Sequence, residues 1–188
     1  GVLVDLIVDN SFAGNGFTGL INWSARSANS TARFDDFRID RFQTVYADDY
    51  NRDDSGWCVD SDNVCQAAYI NGLYRTATRP NYICVFSAPS SGQANGLFEV
   101  QVNRGDTFYQ TAYGLIFAIE GAFDRFYAYL VIPDTQDYAL ARYENGNWSR
   151  ITNDPVDGDA WLSSDKINPS TAINKLGAER DGIFVRLF

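Results

Sequence analysis

The chain has no histidine and no methionine, and among its 188 residues there are only two lysines and four glutamates. The lack of histidine removes the usual general base near neutral pH and the commonest zinc ligand. It also excludes nucleophilic triads that use histidine. Since methionine is missing even at position 1, we expect a processed chain or a segment of a longer one. No apolar run approaches the roughly 20 residues that a membrane-spanning helix needs.

Positive charge is also scarce. The chain has 15 Lys and Arg against 24 Asp and Glu, which gives a net charge of −9. Nucleic acid is therefore an unsuitable partner, because no basic patch is present to displace counterions from phosphates. An anionic membrane surface is excluded for the same reason.

Three cysteines lie close together in the sequence, at Cys58, Cys65 and Cys84. Their clustering, the acidity and the missing initiator favour an extracellular protein with one disulfide. We predict that Cys65 pairs with Cys84, since these two flank the turn dipeptide Asn71-Gly72 and the strand after that turn can lie back near its start. A Cys58–Cys65 bond is the main rival, and three reduced, buried cysteines are the other alternative.

The apolar residues recur with a period of two, and no segment keeps a period of 3.6. Apolar residues make up 45% of the chain and aromatic residues 15%, a composition that suits broad, half-buried strands. Turn signals such as Asn71-Gly72, Asn145-Gly146 and Asp181-Gly182 recur every 8–12 residues. The pattern predicts an all-β sandwich of two antiparallel sheets. The predicted strands are 3–9, 17–23, 32–42, 45–50, the hairpin 69–74, 82–87, 96–103, 109–120, 125–131, 137–143, 148–152, 174–180 and 182–188.

The two ends of the chain each have the pattern of half a β-hairpin. Residues 1–5 are typical of a second hairpin strand, and residues 182–188 of a first one. We therefore expect residues 1–9 to pair with the strand that ends at Phe188, from the same copy or a neighbouring one. Either the domain is circularly permuted, or the chain is one unit of a polymer whose units share strands.

Several segments resemble the concanavalin A-like lectin and glucanase jelly rolls, most closely the laminin-G-like or glucanase-like modules found in tandem in bacterial secreted proteins. The resemblance rests on residues 113–117, 126–131, 138–148, 167, 174–176 and 179–182. Such modules begin with segments like 47–50 and 55–57, and they end with one like 34–39. Here the ending motif precedes the beginning motif. The resemblance thus implies that residues 1–40 are the C-terminal strands of a jelly roll, 41–44 a turn or linker, and 45–188 the main body.

The resemblance does not extend to catalytic residues. Glucanases of this fold carry a strand motif Glu-x-Asp-x-x-Glu, because a retaining glycosidase needs two carboxylates about 5 Å apart. The chain lacks that motif, and its nearest candidates are Glu99 and the pair Glu120/Asp124. We therefore expect a protein that is not an enzyme.

Two kinds of ligand site are suggested. Modules of this fold often hold a structural Ca²⁺, and the oxygen-bearing segment Asp60-x-Asp62-Asn63 has suitable spacing. The alternative is a set of solvated loop acids that cap turns. Among the four tryptophans, Trp148 follows a hairpin turn near Tyr143, so these two are the candidate carbohydrate-binding residues. Packing is the alternative for them, as for most aromatic residues on sheets.

Three sequons mark candidate glycosylation sites at Asn22, Asn29 and Asn147. They matter if the source organism glycosylates asparagine.

Two functions compete on this evidence. Segment 1–40 is rich in large apolar side chains, so it must complete a sandwich in its own chain or in a neighbour. If residues 41–44 are a tight turn, the segment folds back; if they are an inter-domain link, it completes the preceding unit, which is the alternative we favour. The chain is then a structural repeat of an extracellular filament or surface assembly whose copies join head to tail. The alternative is a carbohydrate-binding module of a secreted protein.

Overall fold

The chain folds into two antiparallel β-sheets packed face to face. The structure is a computed structural model, and it describes residues 5–8, 17–24, 29–40, 44–89, 95–105, 111–152 and 161–188. The predicted all-β sandwich is confirmed. No helix in these residues is long and apolar enough to cross a bilayer. The strands within them are β1 Asp5–Val8, β2 Phe17–Ser24, β3 Ser30–Asp40, β4 Thr44–Asp48, β5 Asp60–Ser61, β6 Cys65–Ile70, β7 Leu73–Thr78, β8 Ile83–Ser87, β9 Gly96–Arg104, β10 Thr111–Glu120, β11 Arg125–Ile132, β12 Asp137–Glu144, β13 Asn147–Arg150, β14 Leu162–Ser163, β15 Asn174–Asp181 and β16 Phe184–Leu187.

Nine of these strands form what we call the larger sheet, in the order β1-β16-β15-β9-β3-β7-β6-β5, with β4 also paired to β3. The other seven form the smaller sheet, in the order β13-β12-β11-β10-β2-β8, with β14 paired to β12. Strand β3 is long enough to serve two partners in succession: residues 30–34 pair with β7, and residues 37–40 pair with β4. Strands β2 and β3 therefore lie in the interior of the smaller and the larger sheet, respectively, whereas β1 ends the larger sheet.

The N-terminal strand pairs with the C-terminal one in the same chain. Asp5 lies opposite Leu187 and Val8 opposite Phe184, so the predicted pairing is confirmed for the described part of residues 1–9. Of the segment 41–44, for which two geometries were left open, residues 41–43 lie outside the described residues; on either side of them, β3 pairs antiparallel with β4.

The predicted Asn-Gly turns are also present. Asn71 and Gly72 connect β6 to β7, and both have the positive φ that a type I′ turn requires, at 54° and 74°. Asn145 and Gly146 connect β12 to β13 in the same way, with φ values of 48° and 89°.

The core lies between the two sheets and is built largely from aromatic rings. Strand β9 shows the expected alternation, with Phe98, Val100 and Val102 buried. Phe98 stacks on Phe117 of the smaller sheet at a ring-centroid distance of 5.7 Å. Strands β10 and β11 are buried along almost their whole length, so they are covered on both faces, as near-continuous apolar strands usually are. The smaller sheet thus has an apolar outer face as well as an apolar inner one.

The structure contains the disulfide predicted between Cys65 and Cys84, with a Cα–Cα distance of 5.7 Å. Cys65 begins β6 in the larger sheet and Cys84 lies in β8 of the smaller sheet. The bond therefore links the two layers at one end of the sandwich. Cys58 is a free, exposed thiol.

Loss of this disulfide should cost about 3 kcal/mol of unfolding free energy, because the bond closes a loop across a separation of 19 residues in the unfolded chain. We expect this loss in the double variant Cys65→Ala/Cys84→Ala, measured as a lower midpoint of urea unfolding. The variant Cys58→Ala, which removes only the exposed thiol, is the control and should unfold like the parent. Equal stability of all three proteins would show that the bond does not constrain the fold.

Candidate functional site

The outer face of the smaller sheet carries a cleft of about 200 Å³ walled by indole rings. Alternate residues of β2, β11, β12 and β13 point to this face. Small side chains on β12 give the cleft its depth, since Ala139 and Ala141 lie between much larger neighbours. We call this feature the tryptophan cleft, and it is lined by Ile21, Trp23, Ile83, Leu130, Ala139, Ala141, Trp148, Arg150 and Trp161.

Two groups of aromatic rings border the cleft. Trp23 and Trp161 stack with centroids 6.0 Å apart and an interplanar angle of 11°. Trp148 contacts Tyr143 at 5.2 Å and Phe126 at 5.6 Å. The sequence singled out Tyr143 and Trp148, and the structure brings them into contact on β12 and β13. The sequence did not indicate the Trp23–Trp161 pair, because these two residues are far apart in the chain.

The size and composition of the cleft limit what it can hold. A cavity of 150 Å³ is enough for a benzene molecule, so about 200 Å³ accommodates one substituted six-membered ring. Most of the lining is apolar, and Arg150 is the charged side chain in it. Such a site selects for a flat, ring-shaped surface and offers few groups for hydrogen bonding.

A second, polar cleft of about 800 Å³ lies on the outer face of the larger sheet. Its charged groups are largely satisfied by one another. Glu99 forms an ion pair with Lys175 at 2.9 Å, and the side-chain amide of Gln101 donates a hydrogen bond to the Asp36 carboxylate at 2.5 Å. The end of β4 and the segment after it form one wall, with Asp48, Asp49, Arg52, Asp54 and Ser55.

The carboxylates that the sequence offered as catalytic candidates are on different sheets. Glu99 lies on β9 of the larger sheet. Glu120 ends β10 of the smaller sheet and pairs with Arg125 at 3.2 Å. Glu99 therefore does not share a site with Glu120 or Asp124.

The segment that resembles the start of a jelly-roll module builds the wall of the polar cleft. Asp48 is buried, and its carboxylate accepts hydrogen bonds from the Tyr50 backbone N–H at 2.8 Å and the Tyr46 hydroxyl at 3.1 Å. Burial and the nearby Asp48 charge raise the pKa of both tyrosines. Trp57 packs edge-on against Tyr50 at 5.7 Å and is 3% exposed, as expected for a core residue. The motif is thus structural.

The acidic segment proposed for Ca²⁺ caps a turn. Asp60 accepts from the backbone N–H of Asp62 at 3.0 Å, and Asp62 accepts from Val64 at 2.6 Å and Cys65 at 2.5 Å. These backbone hydrogen bonds lower the pKa of Asp62. Within the described ranges, no group of three or more His, Cys, Asp or Glu side chains is placed to hold a metal ion. The geometry matches the turn-capping alternative.

The three sequons differ in exposure: one asparagine is buried and two are exposed. Asn22 is fully buried, and its side-chain amide donates to Thr76 Oγ1 at 3.1 Å and to the Ser30 carbonyl at 3.3 Å. A glycan cannot be accommodated there in the folded chain, so Asn22 is not a valid candidate. Asn29 and Asn147 are both exposed.

Comparison with known proteins identifies no relative. No family model matches the chain, and neither the curated proteins nor the solved structures include a significant match.

Proposed function

We propose that this chain is a non-catalytic structural subunit of an extracellular assembly whose copies join head to tail by sharing strands. The observation that carries the proposal is the pairing of the first three strands. β1 pairs with β16, β2 pairs with β10 and β8, and β3 pairs with β9, β7 and β4. Among the described residues, none of these three strands pairs with another of the three.

Segment 1–40 and body 44–188 are therefore complementary parts. Every backbone ladder that the segment makes could be made equally well with the body of a neighbouring copy. Such an exchange keeps the native strand pairings, with β3 of one copy on β4 of the next, and changes only the connection between β3 and β4. If each copy gives its segment to the next, the contact is heterologous and propagates into an open fibre.

The disulfide supports an extracellular location, since such bonds persist in oxidising compartments. The lack of histidine, the usual general base near neutral pH, supports a role without catalysis. On the sequence resemblance, we also assign the sandwich to the concanavalin A-like jelly rolls.

A disulfide trap tests strand sharing directly. In a Cys58→Ser background, Leu6→Cys and Arg186→Cys place two thiols directly opposite each other on β1 and β16. Opposed residues in antiparallel strands have Cα atoms about 4.5–5.5 Å apart, within the range of a disulfide. If strands are shared, oxidised native material should run as a ladder of covalent oligomers on non-reducing gels.

The matched control keeps Arg186→Cys and moves the second cysteine to Glu179, which lies opposite Arg186 on β15. Both of these positions belong to the body, so this bond is always intramolecular and should give a single band. If the Leu6 pair also gives only a single band in native material, each copy retains its own segment and the proposal is wrong.

A second candidate function is carbohydrate binding, favoured by the tryptophan cleft alone. Its volume suits one sugar ring, and the face of Trp148, which is 38% exposed, is available for stacking. In this case the cleft would hold one residue of a longer glycan.

If the cleft binds sugar, Trp148→Ala should weaken binding of the cognate oligosaccharide by about fivefold or more, because stacking of one ring on an aromatic side chain is worth roughly 1–3 kcal/mol. Titration calorimetry with soluble glycans identified on an array would measure this. Phe184→Ala removes a ring of similar exposure from the other sheet and should leave affinity unchanged. Equal affinity of the parent and Trp148→Ala would exclude the cleft as the binding site.

A further inference from the structure

The chain contains four Asn-Gly dipeptides, and asparagine in this setting is chemically labile. The backbone nitrogen of the glycine attacks the side-chain amide carbon of the asparagine and displaces ammonia, which leaves a five-membered succinimide ring. Water then opens this ring at either carbonyl and gives aspartate or isoaspartate. Glycine favours the attack because it has no Cβ to obstruct its nitrogen. The dipeptides at Asn71, Asn95 and Asn145 are among the described residues, and the fourth, at Asn15, lies outside them.

In a folded chain the reaction depends on local opening, since the attacking nitrogen reaches the amide carbon only after the backbone rotates out of its native conformation. Local opening costs little free energy at a fraying edge and nearly the whole unfolding free energy in the centre of a sheet. The rate at each asparagine is therefore set by the strands and side chains that hold its backbone in place.

The turn at Asn71 is held on several sides. Its strands, β6 and β7, lie between β5 and β3 in the larger sheet, and the Cys65–Cys84 bond anchors the start of β6. The side chain of Asn51 also covers the turn, because a Cβ built on Gly72 would lie 2.8 Å from Asn51 Oδ1. This turn therefore opens only when the neighbouring strands separate.

Asn95 is held by its own side chain, whose amide oxygen accepts a hydrogen bond from the Gly182 backbone N–H at 3.0 Å. The glycine after it, Gly96, begins β9 and lies opposite Arg180 of β15. Strand β9 is an interior strand of the larger sheet, between β3 and β15. The backbone at Asn95 is thus fixed by a sheet that must open before the reaction can proceed.

The turn at Asn145 has the least support of the three. It connects β12 to β13, and β13 has four residues and is the terminal strand of the smaller sheet. Apart from its chain neighbours, no described atom lies within 4 Å of a Cβ built on Gly146. The Asn145 backbone N–H donates to the Asp124 carbonyl at 2.8 Å, and the ring of Trp148 packs on aromatic rings of β11 and β12. Fraying of one short strand is enough to free this turn.

We propose that Asn145 is a site of spontaneous modification, where ring closure with Gly146 converts the asparagine into aspartate and isoaspartate in the folded protein. The inference goes beyond the proposed assembly and does not depend on it. Isoaspartate carries the backbone through its Cβ, so it adds one carbon atom to a turn that has only two residues. The Glu144–Asn147 pair that closes the hairpin then loses its register, and Trp148 leaves the wall of the tryptophan cleft. The site acts as a slow, irreversible switch on that cleft.

Peptide mapping by mass spectrometry measures conversion at each asparagine while the intact chain is incubated at mildly alkaline pH. We expect Asn145 to convert at least about tenfold faster than Asn71 and Asn95, since a terminal strand frays at little cost in free energy. As the control, the chain is reduced and unfolded in urea, where the three sites should convert at similar rates because they share one dipeptide. Equal rates in the folded chain, faster conversion at Asn71 or Asn95, or the same advantage of Asn145 in urea would each overturn the inference.

The variant Trp148→Ala tests whether opening of β13 limits the reaction. It removes the ring that holds this strand on its neighbours, so conversion at Asn145 should become several-fold faster while conversion at Asn71 stays the same. Phe184→Ala removes a ring of similar exposure from the other sheet and should change neither rate. If Asn145 reacts at the parental rate in Trp148→Ala, the opening of β13 is not the route and the inference is wrong.

Hydrogen exchange tests the effect on the cleft. Each conversion adds one negative charge, so anion exchange separates the converted chains from the parent, and mapping identifies those that contain isoaspartate. In these chains the amides of β13 should exchange faster than in the parent, while those of β11 should keep their protection. Unchanged exchange in β13 would show that the hairpin accommodates the extra carbon atom, and the switch on the cleft would be disproved.

Discussion

A fragment of residues 44–188 is expected to lose its fold, and a peptide of residues 1–43 is expected to restore it. Strand β2 lies between β10 and β8, and β3 lies between β9 and both β7 and β4. Deletion leaves a gap in each sheet and, among other buried groups, removes five large apolar side chains that are at most 1% exposed, each worth roughly 1.5–3 kcal/mol. The sum is comparable with the whole stability of a typical domain, about 5–15 kcal/mol. These side chains are Leu20, Ile21, Phe34, Phe37 and Ile39.

Circular dichroism and tryptophan fluorescence would measure the loss and the recovery, with the peptide titrated until the signal saturates. The control is a chain that lacks only residues 1–8. It loses β1, which is the terminal strand of its sheet, so it should remain folded at lower stability. A stable, cooperative 44–188 monomer would mean that the body completes both sheets by itself, and strand sharing would then have no energetic basis.

The sequence predicted the fold well because the strands are long and their turns have strict conformational requirements. Asn71-Gly72 and Asn145-Gly146 adopt positive φ at both positions, and few other dipeptides do so without strain. Strands β5 and β14 were not predicted. Each has only two residues, so no alternation of burial can be read from them. They pair because β6 and β12 provide the neighbouring edges.

The candidate sites were less predictable, since they depend on contacts between distant parts of the chain. Trp148 and Tyr143 flank one turn, so their proximity could be read locally. The stacking of Trp23 on Trp161 depends on the order of strands in the smaller sheet. The burial of Asn22 has the same cause: its amide reaches Thr76 on β7 of the other sheet, although the sequon itself is indistinguishable from those at Asn29 and Asn147.

Alkaline pH should unfold the protein cooperatively between about pH 10 and 12, because unfolded tyrosine ionises near pH 10. Tyr50, Tyr74 and Tyr113 are at most 1% exposed. Burial raises the pKa of all three, and that of Tyr113 to about 12. A group whose folded pKa is raised contributes its full stability below the unfolded pKa and loses it as pH rises towards the folded pKa. Above pH 10, each phenol that stays neutral in the folded state therefore lowers the free energy of unfolding by about 1.4 kcal/mol per pH unit. The three together lower it by roughly 4 kcal/mol per pH unit.

The variant Tyr50→Phe isolates this effect. Among the described residues, the Tyr50 hydroxyl has no hydrogen-bond partner, so its removal should not destabilise the protein at pH 7. With one ionisable phenol fewer, the alkaline midpoint should rise, by up to about one pH unit. Tyrosinate absorbance and circular dichroism recorded together would test this, with Tyr82→Phe as the control because Tyr82 is 50% exposed. If the absorbance rose gradually near pH 10 while the fold persisted, the phenols would be accessible to water and the predicted coupling would be wrong.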